Sequence, residues 1–550
     1  MLFPLTPYLV ALLAAGWAFA WLRLPAAPGR VAPLLEHRLT PYALGAVSAL
    51  VAGWVWGSLR ALPVVHDETA YVLQSRIFAA GRWTAPAPPL PEFFEQYHVL
   101  VTPAVAAKYP PGHALAMAPG ALLGLPGLVP VLLTGVAGAL LFWLARKTAG
   151  GWTALLAWVL WIGAPANLRW RATYFSETTT SAACLAALAA FLRWRETGRP
   201  GWLLAVAAAV GWGALTRPLT MLAFALPLGI AVLREAHRRR AWPSLAAAAG
   251  VGIALLAILP LWSARTTGDA RVTPLAQYTR QYIPWDRTGF GLDRTPPERA
   301  LPPDMVRFSA EFERDHQAYT PGVVPHEAAD RAVRVVRGLL GWPGATLPVL
   351  PSQGLLMALL VGCLLAGAVS RVPGARFTAA TVAVMFAGYL AYAHRPTWTL
   401  YYVETFPGIA FLCAAGFVSA AERVAARLGK PEPMVRAARA TLLLVGLLLP
   451  MAAVNAAIER RSSRGRQVPA RNLERVLASA RGEKVVIFAR YAPDHNVHAS
   501  VVRNEADPAA ARAWVVYDRG ADNARLLRAA PDRVPYLYDE ATGRVFHLSR

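Results

Sequence analysis

The chain has 550 residues; 56% of them are hydrophobic, only 16% are charged, and the mean hydropathy is +0.37. This composition is far more apolar than that of an average soluble protein and indicates a polytopic membrane protein. The formal net charge is +23, which in a membrane protein indicates basic cytoplasmic loops and contact with anionic lipids. No basic segment is interleaved with base-stacking aromatic residues in a soluble stretch, so we predict no nucleic-acid partner.

Apolar stretches of about 20 residues predict transmembrane helices, because a helix of that length crosses the hydrocarbon core of a bilayer. We predict about twelve such spans, and the stretch 113–125 is interpreted as a thirteenth span, a re-entrant segment or an interfacial helix. The first span is predicted to be an anchor helix, since no small-residue cleavage site follows it. The predicted spans are 5–23, 41–60, 127–146, 152–167, 178–193, 202–216, 219–233, 243–263, 353–370, 377–393, 402–420 and 437–455.

The loops between these spans fall into two sets. Lysine and arginine concentrate in one set of alternate loops, which places that set in the cytoplasm by the positive-inside rule. The other set is rich in acidic, aromatic and histidine residues and includes the long loops 61–112 and 264–352. Helical patterns near 304–318 and 326–340 indicate that the second long loop folds as a lid or platform. We expect both loops to lie on the extracytoplasmic face.

The composition changes after residue 458. Residues 1–458 hold all the predicted spans, whereas residues 459–550 are polar enough for a soluble extracytoplasmic domain. Short strand-like runs alternate there with helical patterns, which is typical of a small α/β domain. The predicted strands are 484–488, 513–517, 535–538 and 545–548, and the predicted helices are near 470–481 and 521–530. The predicted fold class is therefore mainly α: a transmembrane helical domain followed by this small α/β domain.

The second predicted span is followed by the sequence LPVVHDETAY, residues 62–71. Carboxylates at the point where a helix leaves the bilayer are costly unless they have partners or a function. We predict that Asp67 is a general base, with Glu68 as its alternative or as a partner that orients the acceptor. The other interpretation is that one of them simply caps the next helix, since carboxylates are favoured in a first turn. Both interpretations can hold together.

A second acid, Glu177, begins the helix after the next outer turn. It is predicted either to act with Asp67 in substrate or metal binding or to be an ordinary first-turn carboxylate. Cations at other outer helix ends suit a phosphate, because arginine binds phosphate oxygens in a fork and keeps its charge. The alternative is that they contact lipid headgroups. The predicted phosphate-binding residues are Lys108, Arg171, Arg217 and Arg395.

Histidines on the same face raise the question of a metal. Their spacing has no ligand signature, so we assign no metal ligands and no certain cofactor and keep a divalent metal ion as an open alternative. The segment 494–498 (DHNVH) is interpreted as a polar loop between strands rather than a metal site. With nearby tyrosines, the outer histidines are predicted to contact substrate. This predicted set is His66, Tyr71, Tyr109, His113, Tyr174, His394 and Tyr402.

Taken in order along residues 41–420, these motifs resemble a known class. The Asp67-Glu68 pair, the KYPPG segment at 108–112, the acidic outer turn with Glu177 and the Arg217-Pro218 junction are similar to those of GT-C class integral membrane glycosyltransferases. The resemblance is to the bacterial relatives of protein O-mannosyltransferases and lipid A aminoarabinose transferases. It implies transfer, with inversion, of a sugar carried on a polyprenyl or dolichyl phosphate.

The resemblance also implies roles for individual residues. Asp67 matches the acidic catalytic residue of the class, Glu68 its acceptor-contacting neighbour and Lys108 a phosphate-binding lysine. Glu177 matches the acid of the second outer loop. The turn with Arg395 is similar to a late basic turn that contacts phosphate.

The predicted function is thus that of a hexosyl- or pentosyltransferase in a bacterial inner membrane. Its expected partners are the lipid-linked sugar, membrane lipids and a lipid, glycan or protein acceptor. Two other classes stay open. A transporter or flippase of a lipid-linked saccharide would place its charges on broken helices near mid-membrane. A non-catalytic membrane scaffold would give no reason to collect acids and cations at one face.

Overall fold

The computed structural model describes residues 27–340 and 351–549. The predicted span 5–23 lies outside these ranges. The helices are Ala27–Glu36, Thr40–Trp56, His66–Ala79, Gly112–Leu122, Leu128–Gly163, Pro165–Arg171, Glu177–Thr197, Pro200–Ala214, Pro218–Arg239, Trp242–Leu256, Ile258–Thr267, Pro274–Tyr282, Pro303–Ala318, Val324–Leu340, Pro351–Ala368, Ala375–Gly388, Phe406–Arg427, Pro433–Ser479 and Asn523–Ala529. The strands are β1 Ala85–Pro86, β2 Val99–Leu100, β3 Ala104–Ala107, β4 Val485–Arg490, β5 Ala513–Tyr517, β6 Val534–Asp539 and β7 Arg544–His547.

Helices dominate the fold, as predicted, and small residues let them pack closely. Helix Thr40–Trp56 lies against helix Leu128–Gly163, where a Cβ added at Gly45 would come within 2.8 Å of the Gly135 carbonyl oxygen. Small residues at such contacts let two backbones approach in a lipid environment, where van der Waals packing drives helix association. The central helix Leu128–Gly163 also packs against Phe406–Arg427, and the cluster between them is the largest apolar core.

Five helices in the described part of the chain are long and apolar enough to cross a membrane, or six if one bent pair counts as a span. About twelve spans were predicted. Part of the difference is that the predicted spans 127–146 and 152–167 form one helical segment with a break at Gly150, whose φ of 83° suits glycine. Other predicted spans are short: helix Pro200–Ala214 has 15 residues, about 22 Å of length.

The described part of the long loop 264–352, up to residue 340, is folded, as predicted. Its predicted helical patterns correspond to the helices Pro303–Ala318 and Val324–Leu340. Aromatic side chains of the preceding helix, Tyr278 and Tyr282, pack with Tyr97 of the first long loop. The two long loops therefore lie against each other at one end of the helices.

The C-terminal region contains the predicted small α/β unit. The four-stranded sheet has the order β5-β4-β6-β7, in which β4 is parallel to β5 and β6, and β7 is antiparallel to β6. All four predicted strands are confirmed within one or two residues. The central strand β4 is buried along five of its six residues, as expected for a parallel strand covered on both faces. The predicted boundary after residue 458 lies inside the helix Pro433–Ser479, which leads directly into this sheet.

Candidate active site

The helix His66–Ala79 begins beside a large cavity, and Glu68 holds its first turn in place. The carboxylate of Glu68 accepts hydrogen bonds from the backbone N–H groups of Val64 at 2.5 Å and Val65 at 3.2 Å. Its other oxygen accepts the N–H of Tyr174 at 3.1 Å. The side chain is 2% exposed, and burial raises its pKa. These contacts are those of a buried helix cap, the alternative that the sequence left open.

Asp67 points in a different direction, since adjacent helical residues are about 100° apart. Its side chain is 36% exposed and lines the cavity. The hydroxyl of Tyr109 donates a hydrogen bond to Oδ1, and Nε2 of His98 lies 3.6 Å from Oδ2. Asp67 is therefore an oriented and accessible carboxylate, as a general base must be.

The cavity has a volume of about 1440 Å³ and brings together much of the predicted site. It lies between the two long loops, the helix ends next to these loops and the C-terminal domain. Of the predicted site residues, Asp67, Glu68, Tyr71, Lys108, Tyr109, Glu177, Arg217 and Arg395 line it.

Lys108 follows directly on strand β3, and its side chain is 5% exposed. Its Nζ atom lies 3.5 Å from Oδ2 of Asp286 and 5.0 Å from the centre of the Tyr278 ring. Its backbone N–H donates to the carbonyl of His98 at 2.9 Å. Because His98 and Tyr109 both contact Asp67, the lysine and the aspartate are fixed to the same small group of residues.

Arg217 lies among carboxylates. It forms an ion pair with Glu177, its Nε lies 3.1 Å from Oε1 of Glu404, and it donates to the Tyr389 hydroxyl at 2.8 Å. The side chains of both glutamates are 0% exposed, whereas that of Arg217 is 12% exposed. The guanidinium thus compensates two buried negative charges while one edge faces the cavity.

Arg395 is the most accessible of the predicted phosphate-binding cations. Its side chain is 45% exposed and lines the cavity. Its Nε donates to Asp315 at 2.7 Å, and its Nη2 lies 3.5 Å from Glu311. The hydrogen bonds to Asp315 and Glu311 raise the pKa of the guanidinium.

The remaining predicted residues are not among those that line the cavity. Arg171 is buried and donates to Asn167 at 3.0 Å and Ser181 at 2.8 Å. Both ring nitrogens of His113 have partners, the Thr179 hydroxyl at 2.8 Å and a backbone carbonyl at 2.9 Å. The other four, His66, Tyr174, His394 and Tyr402, are also buried.

The structure adds residues that the sequence did not single out. His98 lies ten residues before Lys108, and no sequence motif identifies it as a site residue. Asp286 lies in an aromatic and proline-rich stretch of the second long loop, and Glu404 follows the tyrosines at 401–402. The segment 494–498, interpreted as a polar loop, contributes to the cavity wall. Within the described ranges, no group of three or more His, Cys, Asp or Glu side chains is suited to hold a metal ion.

Three histidines lie near Asp67: His66 is buried, His98 is half-buried and His498 is exposed. The ring of His66 is 5.4 Å from that of His498 and 6.4 Å from that of His98, measured between centres. Loss of solvation by the surrounding protein lowers the pKa of all three imidazoles below the ordinary value of 6.5, most strongly for His66 and His98. The other charges facing the cluster are Arg503 and Lys108, which lower these pKa values further, and Asp67, which raises those of His66 and His498.

This cluster predicts a loss of stability in mild acid. A histidine buried in its neutral form binds its proton more weakly in the folded state, so the unfolded state binds more protons and stability falls as the pH drops below about 6.5. We expect the melting temperature of the purified protein to fall between pH 7.5 and pH 5.5. The double variant H66F/H498F is expected to lose part of this pH dependence, whereas H547A, which changes an exposed histidine, is expected to keep all of it. An unchanged slope in the double variant would contradict the prediction.

Comparison with known proteins agrees with this architecture. Residues 124–263 match the model of the family described as dolichyl-phosphate-mannose-protein mannosyltransferase. No curated protein matches the chain in sequence. The fold is similar to that of ArnT from Cupriavidus metallidurans bound to undecaprenyl phosphate, with a TM-score of 0.51, 15% identity, and coverage of 92% of this chain and 91% of that chain.

A second solved structure is more distant. The archaeal oligosaccharyltransferase AglB from Archaeoglobus fulgidus, in complex with an inhibitory peptide and a dolichol-phosphate, has a TM-score of 0.44 and 13% identity, and the match covers 91% of this chain and 69% of that chain. The similarity to ArnT shows that this chain has the GT-C type of membrane fold. The resemblance inferred from the sequence motifs is therefore confirmed for the fold, and the stretch 124–263 is similar to the mannosyltransferase family model.

Proposed function

We propose that the protein is a membrane glycosyltransferase that moves a sugar from a polyprenyl-phosphate donor to an acceptor hydroxyl, with inversion at the anomeric carbon. The observation that carries this proposal is the joint placement of Asp67 and Lys108. An accessible carboxylate and a lysine ammonium face one cavity and are connected through Tyr109 and His98. A base for the acceptor and a cation for the leaving phosphate are the two groups that such a transfer requires.

The reaction follows from the positions of these groups. Asp67 accepts the proton of the acceptor hydroxyl as that oxygen forms a bond to the anomeric carbon. The bond from this carbon to the phosphate oxygen breaks on the opposite face of the sugar, and its electron pair leaves with the polyprenyl phosphate. The products are the glycosylated acceptor, polyprenyl phosphate and a protonated Asp67.

Lys108 is the main group proposed to hold the leaving phosphate. In the structure its ammonium lies 3.5 Å from Asp286, and a phosphate at this position would compete with that carboxylate for it. Arg395, half-exposed at the cavity wall, supplies a second cation. Arg171 is buried away from the cavity and is assigned to the support of the site rather than to phosphate binding.

The names of similar proteins support this class of donor. ArnT of this fold is described as bound to undecaprenyl phosphate, and the family matched by residues 124–263 is named for a dolichyl-phosphate-mannose donor. The arginine-rich alternate loops support an orientation with the cavity on the extracytoplasmic side of a bacterial inner membrane. The acceptor is a lipid, glycan or protein that reaches this side.

The test is a transfer assay with the full chain in lipid nanodiscs. Wild-type protein is supplied with a panel of synthetic undecaprenyl-phosphate hexoses and pentoses, and release of undecaprenyl phosphate is measured in the presence of a membrane extract as acceptor. Release that requires both donor and extract supports the proposal. Movement of the intact lipid-linked sugar across liposome membranes, without cleavage, would instead support the alternative that the protein is a flippase.

Removal of the lysine charge is expected to weaken donor binding. In Lys108→Ala, we expect co-purified polyprenyl phosphate, measured by native mass spectrometry, to fall at least tenfold, because a charge-assisted hydrogen bond of about 1.5–3 kcal/mol is lost. The double variant K108A/R395A is expected to lose the lipid completely.

The matched control is Lys484→Ala, which removes a half-exposed lysine paired with Asp532 in the C-terminal domain. It is expected to retain lipid at the wild-type level. Equal retention of polyprenyl phosphate by K108A and K484A would refute the assignment of Lys108 as the phosphate ligand.

A further inference from the structure

The C-terminal domain is joined to the first long loop by a shared apolar core. Phe93 and Phe94 of the loop pack with residues of the sheet, and the ring centres of Phe94 and Trp514 are 5.1 Å apart. Arg519 donates to the carbonyl of Glu92 at 3.1 Å. The domain is therefore part of the same packed body as the loop that carries His98 and Lys108.

A second set of contacts reaches the start of the helix that carries Asp67. Arg503 donates to the carbonyl of Pro63 at 3.0 Å, which fixes the chain three residues before His66. The ring of His498 stacks on His66, with 5.4 Å between centres and 30° between planes. His66 is the residue directly before Asp67, so the C-terminal domain touches the immediate neighbour of the proposed base.

On the other side of Asp67 lies His98, whose backbone has an uncommon conformation. His98 has a φ of +63°, in the left-handed region that only a few per cent of non-glycine residues adopt. Its N–H donates to the Tyr278 hydroxyl and its carbonyl accepts the N–H of Lys108, both at 2.9 Å. Such conformations cost free energy and persist where surrounding contacts enforce them, frequently at active sites.

The rings of these residues form a continuous layer. His66 lies 4.5 Å from the ring of Tyr97, which precedes His98, and His498 lies 6.3 Å from the ring of Phe308 in the second long loop. The layer ends at Asp67, whose two oxygens face Tyr109 and His98. The orientation of the Asp67 carboxylate thus depends on His98, which faces one of its oxygens, and on His66, the preceding residue in the helix. His498 packs against His66.

From this geometry we propose that the C-terminal domain completes the catalytic site, with His498 acting as a positioning residue that holds Asp67 through His66. This inference rests on the proposed glycosyltransferase function and adds to it a role for residues 494–503. The role is one of ring packing: the imidazole of His498 packs on His66 and keeps the first turn of the helix in register with His98. A displacement of about 1 Å in a catalytic group can cost on the order of 100-fold in rate.

The test compares His498→Ala with His498→Phe in the full chain. H498A removes the ring, and we expect kcat to fall about 10- to 100-fold with the KM for an undecaprenyl-phosphate sugar unchanged. H498F keeps a planar ring and is expected to recover most of kcat. The control H547A changes an exposed histidine on strand β7 and is expected to match the wild type.

A second measurement keeps the inference separate from the proposed function. In hydrogen–deuterium exchange, amides at residues 66–70 are expected to exchange faster in H498A than in the wild type, and at the wild-type rate in H498F. An H498A protein with full kcat and unchanged exchange overturns the positioning role, whatever the reaction is. If the wild type transfers no sugar, but exchange at residues 66–70 is faster in H498A and unchanged in H498F, the proposed function is overturned and the coupling of the C-terminal domain to Asp67 stays in place.

Discussion

Asp67→Asn is expected to lower kcat for sugar transfer by about 10²–10⁴-fold, the usual contribution of a general base. The amide keeps the size of the side chain and can still accept a hydrogen bond from Tyr109, but it cannot take the proton of an acceptor hydroxyl. Because the side chain is 36% exposed at the cavity wall, we expect little change in stability. The measurement is the single-turnover rate of undecaprenyl-phosphate release in nanodiscs.

Two controls make this result specific. Asp532→Asn is a matched change at a half-exposed carboxylate of the C-terminal domain, and it is expected to leave the rate unchanged. Co-purified polyprenyl phosphate is expected to stay at the wild-type level in D67N, since the donor phosphate is assigned to Lys108. A D67N protein that transfers sugar at the wild-type rate would remove Asp67 from the mechanism and favour the transport or scaffold alternatives.

The sequence predicted best those features that depend on local pattern. The strands of the C-terminal domain are apolar runs between polar turns. Such runs must be buried, and the sheet buries them in β4 and its neighbours. The placement of Asp67 and Lys108 on one cavity followed from the loops that hold them, because loops on one side of a membrane protein meet at one face. These inferences required only the position where each helix ends, and not the direction in which each side chain points around the helix axis.

The predictions were less complete where they depended on the direction of a side chain around its helix axis or on contacts between residues far apart in the sequence. Arg171 and Arg217 both lie at helix ends, yet Arg171 points into the helix packing and Arg217 into the cavity. Glu68 and Asp67 are adjacent, but one caps the helix and the other faces the cavity. The backbone N–H of His98 is held by a hydrogen bond to the hydroxyl of Tyr278, which lies 180 positions later in the sequence. No local sequence pattern predicts such a contact.

Replacing Arg217 with Met is expected to give the largest loss of stability among these variants. Glu177 and Glu404 are completely buried, and Arg217 is the cation that forms ion pairs with both. Removing one member of a buried ion network leaves uncompensated charge, which typically costs about 3–5 kcal/mol. We expect this decrease in the unfolding free energy measured by titration with SDS in mixed micelles. The matched control is Arg238→Met at the far end of the helix Pro218–Arg239, which Arg217 directly precedes. The side chain of Arg238 is 67% exposed, and the expected loss is within about 1 kcal/mol.

The triple variant R217M/E177Q/E404Q distinguishes charge from packing as the cause. All three charges are then absent, and burying a neutral amide costs far less free energy than burying an uncompensated charge. We expect the triple variant to recover most of the stability that R217M loses. A triple variant as unstable as R217M would show that Arg217 stabilises the fold through its contacts with Tyr389 rather than through the two glutamates. If stability recovers but transfer does not, the network serves the cavity that Glu177 and Arg217 line, and its charges are retained for the reaction rather than for the fold.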